Sequence, residues 1–269
     1  MRLNRTLKSI EDQRTRYRIL LNRSRYQSDI ERFVWQRSAV LSASIPEKSG
    51  AQMRNNFVRD RQCALETFEG VRQNMSVAPL NIETIMAWHA GLLRGTAPEM
   101  TGQFRYARAH WLRSTMIFAN WEKIPVLMDT LIEGINKRHV PAFYWQENPD
   151  RQFQALSHNP MINAIEANYN FIAIHPFQDG NKRTARLMTS WFLGQQDYIP
   201  LCIYERQGYV NGIESYAQTH RPQALYGFML DQMHRSYDDA IHEVQSMEKI
   251  IVSGKNTAQK SMLTARYQR

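Results

Sequence analysis

The chain has 269 residues and a mass of 31.6 kDa, enough to bury a substantial core without cross-links. Its 43% hydrophobic and 22% charged residues exclude wholesale disorder, and with only two cysteines, Cys63 and Cys202, there is no disulfide framework or cysteine-based zinc site. The 34 Lys and Arg against 25 Asp and Glu leave a net charge of +9, which favours anionic partners without choosing among nucleic acid, nucleotide phosphates, acidic proteins and lipid headgroups.

The excess charge is concentrated at the amino end, where basic residues from Arg2 to Arg25 face only Glu11 and Asp12. A second basic cluster, Lys255, Lys260, Arg266 and Arg269, lies in the tail. No stretch approaches the roughly 20 apolar residues of a membrane span. The opening MRLNRTLKSIEDQRTRYRIL scatters charge where a secretory signal needs an apolar block, so a cytoplasmic protein is expected.

In chain order, residues 5–24 and 28–43 read as two polar amphipathic helices ahead of a loop with Pro46 and Gly50. Over 51–73, Met53, Phe57, Ala64, Phe68 and Val71 recur mostly at three-, four- and seven-residue steps, one buried helical face. Pro79 ends that run, and Asn81 caps a helix with Ile82, Ile85, Met86, His89, Leu92 and Leu93 as its stripe. Beyond the Gly95–Gly102 loop, residues 102–120 are aromatic and β-branched without helical periodicity and predict a small β-hairpin. Pro125 opens a helix expected to turn Val126, Met128, Leu131, Ile132 and Ile135 inward. Residues 139–157, with Pro141, Trp145 and Pro149, read as a loop. Asn159-Pro160 then starts a helix through Ile162, Ile165, Tyr169 and Ile172 to His175-Pro176. Another runs from Asn181 through Leu187, Met188, Trp191 and Phe192 to Gly194, followed by an apolar segment at Ile199–Tyr204 and helices near 210–220 and 222–252. The fold class predicted is all-α with one small β-hairpin flap.

Chemistry is concentrated in His175-Pro-Phe-Gln-Asp179-Gly180-Asn181-Lys182-Arg183-Thr-Ala-Arg186. Gly180-Asn181 stands at a helix start, where unpaired N–H groups and the positive end of the dipole favour an anion, and glycine lets a ligand approach the backbone. Arg183 and Arg186, three apart, share a face there and present forks that match phosphate oxygens. Asp179 is a hard oxygen ligand suited to a magnesium ion bridging phosphates. His175, closing the preceding helix, is a near-neutral base. Together these twelve residues form a complete set for phosphate chemistry. Phe177 reads as an anchor of the loop in the core.

The run HPFQDGNKR, with Arg186 as second arginine, resembles the Fic (filamentation induced by cAMP) family, whose loop reads H-P-F-x-[D/E]-G-N-[G/K]-R between two helices. TIMAWHAGLLRG (84–95) and TGQFR (101–105) resemble the helix and flap preceding that loop, and the likeness spans roughly 50–220. It implies a Fic-type helical bundle: a basic helical region at 1–49, a catalytic core at 50–220, and a helix with a basic tail at 221–269. It implies a protein adenylyltransferase, in which His175 deprotonates a Ser, Thr or Tyr hydroxyl of a target protein that attacks the α-phosphate of ATP. Asp179 would hold Mg²⁺, Gly180, Asn181 and Lys182 would line the phosphates, and Arg183 and Arg186 would offset their charge. The flap at Gln103–His110 would dock the target as an added strand, and Tyr216 would cover adenine.

Two departures shape the expectation. Most adenylylating members carry glycine where this chain has Lys182. A lysine there also occurs in the related Doc (death on curing) toxins, which transfer the terminal phosphate, so phosphoryl transfer is the alternative. Many Fic proteins carry an inhibitory helix with [S/T]-x-x-x-E-[G/N]. Here Ser42-Ala43-Ser44-Ile45-Pro46 places proline where the glutamate belongs, so Arg186 is expected to lack that clamp, with self-inhibition weak or supplied by a separate partner. A reading from another class is a non-catalytic helical protein that binds nucleotide or nucleic acid through its basic residues, although no base-reading motif is present.

Overall fold

The computed structural model describes residues 2–43, 51–75, 79–95, 99, 101–110, 116–140 and 158–252. Nine α-helices lie along them: α1 (Arg2–Arg23), α2 (Gln27–Ser42), α3 (Ala51–Gln73), α4 (Ile82–Leu93), α5 (Ile124–Asn136), α6 (Pro160–Ile174), α7 (Asn181–Gly194), α8 (Arg206–Thr219) and α9 (Gln223–Val252). No described helix is long and apolar enough to cross a membrane.

The elements begin where local chemistry tells them to. Asn81 accepts from the Thr84 N–H at 2.8 Å at the head of α4. Asn159 accepts from the N–H groups of Met161 and Ile162 ahead of Pro160 on α6, and a proline stands in the first turn of α5. The stripe of α5 buries Met128, Leu131, Ile132 and Ile135, but Val126, expected inward, is exposed. It precedes Met128 by two residues, about 200° round the helix, and so lies on the opposite face. Ala64, Phe68 and Val71 of α3 are buried as expected, while Met53 and Phe57 fall outside the described side chains.

Helix α6 is buried along its whole length from Met161 to Ile174, and α7, antiparallel beside it, nearly so. The others pack round this pair: α5 on α6, α4 on α7, α3 on α2 and α4, and α8 and α1 against α9. Burying α6 on all sides requires internal partners for its polar residues. Asn168 donates to Thr189 at 2.9 Å and accepts from Tyr209 at 2.7 Å. Glu166 accepts from the hydroxyls of Tyr216 and Tyr226. The basic α1 is fastened to the end of α7: Arg14 donates to the Gln196 carbonyl at 2.8 Å and lies over the Tyr198 ring, and Glu11 accepts from the Tyr198 hydroxyl.

The hairpin expected over 102–120 does not appear among the described residues: 101–110 and 116–120 form no strand, and 111–115 lie outside them. Among the described residues, the backbone of each arm bonds to the end of α6. The Arg105 N–H donates to the Pro176 carbonyl at 2.9 Å, and the Ala119 N–H to the Ala173 carbonyl at 3.1 Å. The buried Arg105 guanidinium then donates to the carbonyls of His175 (2.6 Å), Ala107 (2.6 Å), Ala119 (2.5 Å) and Ile174 (3.3 Å), holding both arms and the helix end together. Arg105→Met is expected to lower the unfolding free energy by about 3 kcal/mol in urea titration. It should also speed amide exchange at Ala119.

Candidate active site

The site is the turn that joins the two most buried helices. Helix α6 cannot continue into Pro176, and His175 closes it in the left-handed conformation, φ 51°. The next four residues fold back on themselves through Asn181, whose Oδ1 accepts from the Phe177 N–H at 2.9 Å while its Nδ2 donates to the Phe177 carbonyl at 2.7 Å. Phe177 is fully buried, stacked on His89 at 3.7 Å with an interplanar angle of 8°. Gly180, φ 76°, caps α7. A Cβ there would stand 2.3 Å from Leu93 and 3.2 Å from the His89 ring, so only glycine meets both the backbone and the space requirement.

At the rim of the turn Asp179 is exposed. Its Oδ1 accepts from the Gly180 N–H at 2.6 Å, and its Oδ2 lies 3.7 Å from Arg183. The first-turn N–H groups of α7 have no carbonyl one turn back to serve, as at any helix start. The side chain of Asn181 is committed to Phe177, so an anion would meet backbone here rather than that amide.

The two arginines are held differently. Arg183 lies 3.0 Å from the buried carboxylate of Asp60 on α3. Asp60 was not among the residues expected at the site. The available signal was an acid at position 60 on the stripe defined by Ala64, Phe68 and Val71, where a charge needs a partner. Arg186 is buried and donates to the Ser42 carbonyl at 2.7 Å and the Ser42 hydroxyl at 3.3 Å, at the end of α2. Burial, together with the neighbouring charges of Arg183 and Arg206, pushes its guanidinium down to about 10. No carboxylate partners it among the described residues. The segment carrying Ser42 therefore reaches Arg186, though through backbone and hydroxyl oxygens; Ala43 is already extended, and Pro46 lies outside the described residues.

His175 is half-buried, with Phe118 stacked on it at 4.0 Å and Nδ1 buried without a hydrogen bond. Burial, followed by the charges of Arg105 and Lys182, pushes the imidazole down to about 4 against the pull of the Ile172 carbonyl. His89 is likewise pushed down to about 4, by burial and then by Arg183. Tyr216, expected over a ligand, is instead buried in the core, stacked on Tyr169 at 4.0 Å and bonded to Glu166, so it has no surface to offer an adenine ring.

A divalent ion fits this donor set in one way. Among the described residues no three His, Cys, Asp or Glu side chains converge, so no all-protein cage exists. A single exposed carboxylate beside a helix N-terminus matches magnesium, which is held by one or two carboxylates together with substrate phosphates. The arrangement can thus hold a polyphosphate against buried guanidinium groups and present a neutral imidazole beside it.

Both histidines protonate more readily in the unfolded chain, whose ordinary value is about 6.5. Stability should therefore fall as pH drops from about 6.5 towards 4, by about 2 kcal/mol for each histidine at pH 5. Urea unfolding at pH 7 and 5 should show a shallower loss in His89→Gln than in the parent. Asp60→Asn leaves the Arg183 charge buried beside only the more distant Asp179 and should cost about 3 kcal/mol. Adding Arg183→Met should recover most of that loss.

The "Fic/DOC family" model matches residues 79–193 of this chain, the span from the head of α4 to the end of α7. Solved structures share the fold. A Fic domain containing signaling protein from Bacteroides thetaiotaomicron superposes with a TM-score of 0.67 at 16% identity, covering 88% of this chain and 98% of that one. A Fic family protein from Desulfovibrio desulfuricans gives 0.61 at 19% identity, covering 91% and 74%. Fic-1 from C. elegans gives 0.61 at 16% identity, covering 91% and 73%.

Proposed function

We propose, for a chain that carries a Fic/DOC family domain at residues 79–193, that it is a protein adenylyltransferase working at the His175–Arg186 turn. The reading is supported most by one juxtaposition: a neutral imidazole closing α6, and the N-terminus of α7 backed by the buried guanidinium groups of Arg183 and Arg186. ATP would lie with its phosphates over Gly180, Asn181 and Lys182, and the arginines would offset the charge that builds on the leaving pyrophosphate. His175 takes the proton from a Ser, Thr or Tyr hydroxyl of the target as that oxygen attacks the α-phosphorus in line. The O–P bond to AMP forms as the bond to pyrophosphate breaks.

The depressed imidazole suits this sequence. In the free protein burial, and after it the charges of Arg105 and Lys182, oppose its protonation. An arriving triphosphate offsets those cations and raises the basicity of the ring where a proton is to be taken. Magnesium, when bound at Asp179 and the phosphates, would supply charge neutralisation and orientation. The target segment would lie along Gln103–His110, beside the exposed Tyr106.

The second reading, transfer of the terminal phosphate, rests on Lys182 standing where most adenylylating members carry glycine. Incubation with Mg²⁺, cell lysate and ATP labelled at either the α- or the γ-phosphate separates the two. Label from the α position on protein is expected; label from γ alone supports phosphoryl transfer. His175→Ala should abolish transfer while leaving ATP affinity within about threefold. Binding that collapses with salt and no transfer of either label would leave a basic nucleotide- or nucleic-acid-binding protein.

A further inference from the structure

We infer that His89 is a positioning residue that ties the arm beginning at Gly102 to the phosphate-binding turn, using one ring nitrogen for each. The inference rests on the reading of the turn given above. His89 lies in α4, its ring fully buried and parallel to Phe177. The Gly102 N–H stands 3.1 Å from Nδ1, and the Asp179 carbonyl 3.0 Å from Nε2. An amide N–H can only donate and a carbonyl can only accept, so the contacts require one tautomer, with the proton on Nε2 and the lone pair on Nδ1.

Both contacts are to main chain at the points that matter for the proposed reaction. Asp179 carries the exposed carboxylate and precedes Gly180, whose missing Cβ would press on this same ring. Gly102 is left-handed, φ 66°, and opens the arm on which the target would lie. Three residues further on, the same arm is fixed separately, through Arg105, to the carbonyl of His175. A flat ring with an acceptor on one edge and a donor on another can serve both segments while its face seats Phe177, and no other side chain combines these. A shift of the turn when phosphates bind is thereby transmitted to Gly102, and the ordering of the arm acts back on the turn to the same degree.

Two conservative changes separate the edges. The amide nitrogen of Gln reaches the place of Nε2 and retains the donor to Asp179; the Oδ1 of Asn reaches the place of Nδ1 and retains the acceptor for Gly102. Hydrogen exchange of the full chain, without and with Mg·ATP, reads both segments without needing turnover. Without nucleotide, His89→Gln should lose protection at Gly102 and retain it at 177–181, and His89→Asn should do the reverse. With Mg·ATP the parent should gain protection at both segments, and His89→Gln only at the turn. His89→Asn should bind Mg·ATP about tenfold more weakly by calorimetry. If both variants lose protection equally at both segments, the ring only fills space and the inference fails. If Mg·ATP protects nothing in the parent, the nucleotide reading fails, while the nucleotide-free pattern still decides the tie. Should either variant fail to fold, the imidazole carbon and nitrogen shifts of the parent decide it: the Nε2–H form is required, and the Nδ1–H form overturns the inference.

Discussion

A guanidinium buried between packed helices has to be satisfied, and in this protein two of them, Arg183 and Arg186, stand at the start of the same helix. The carboxylate of Asp60 from α3 answers one, and the carbonyl and hydroxyl of Ser42 from α2 answer the other. Helices α2 and α3 are thereby tied to the N-terminus of α7 by charge as well as by apolar packing. The two arginines end up unequal. Arg183 has a buried counter-charge, whereas Arg186 keeps a full charge against neutral oxygens in a desolvated place, which depresses it. A site with an uncompensated buried cation at a helix N-terminus is disposed towards anions before any ligand arrives.

The turn itself has no disulfide and, among the described residues, no strand to stiffen it. Rigidity comes from closed hydrogen-bond rings. Asn181 spans the backbone of Phe177 in both directions, Arg105 gathers carbonyls from both arms and the end of α6, and His89 takes one contact from each side. Each is a buried polar group bonded to main-chain partners, an arrangement that fixes position more than it adds net stability. Their common product is a fixed backbone path from His175 to Gly180, which places the imidazole and the N-terminus of α7 at one turn.

Much of the fold could be read from the residues because its signals are local. Asn81 and Asn159 cap where expected, Pro125 and Pro160 open helices, and the run from Asn181 to Gly194 is bounded by its own glycines. The hairpin over 102–120 was inferred from β-branched and aromatic content; among the described residues its arms bond instead to the end of α6 and to the Arg105 side chain. Val126 and Tyr216 were misplaced for opposite reasons. The first was counted into a stripe whose phase it does not share, and the second was taken for surface when a buried glutamate already held its hydroxyl.

By itself the sequence determined that this is a helical protein with a His-to-Arg turn between two apolar helices, because periodicity, caps and a twelve-residue motif act over short range. Tertiary structure alone decided that Asp60 belongs to Arg183, that Ser42 reaches Arg186, and that His89 stands under the turn with a nitrogen towards each neighbour. Apart from His89 with Gly102, those pairings join residues from 90 to more than 140 positions apart, some through main-chain atoms that every residue shares. Side-chain identity along the chain therefore cannot announce them.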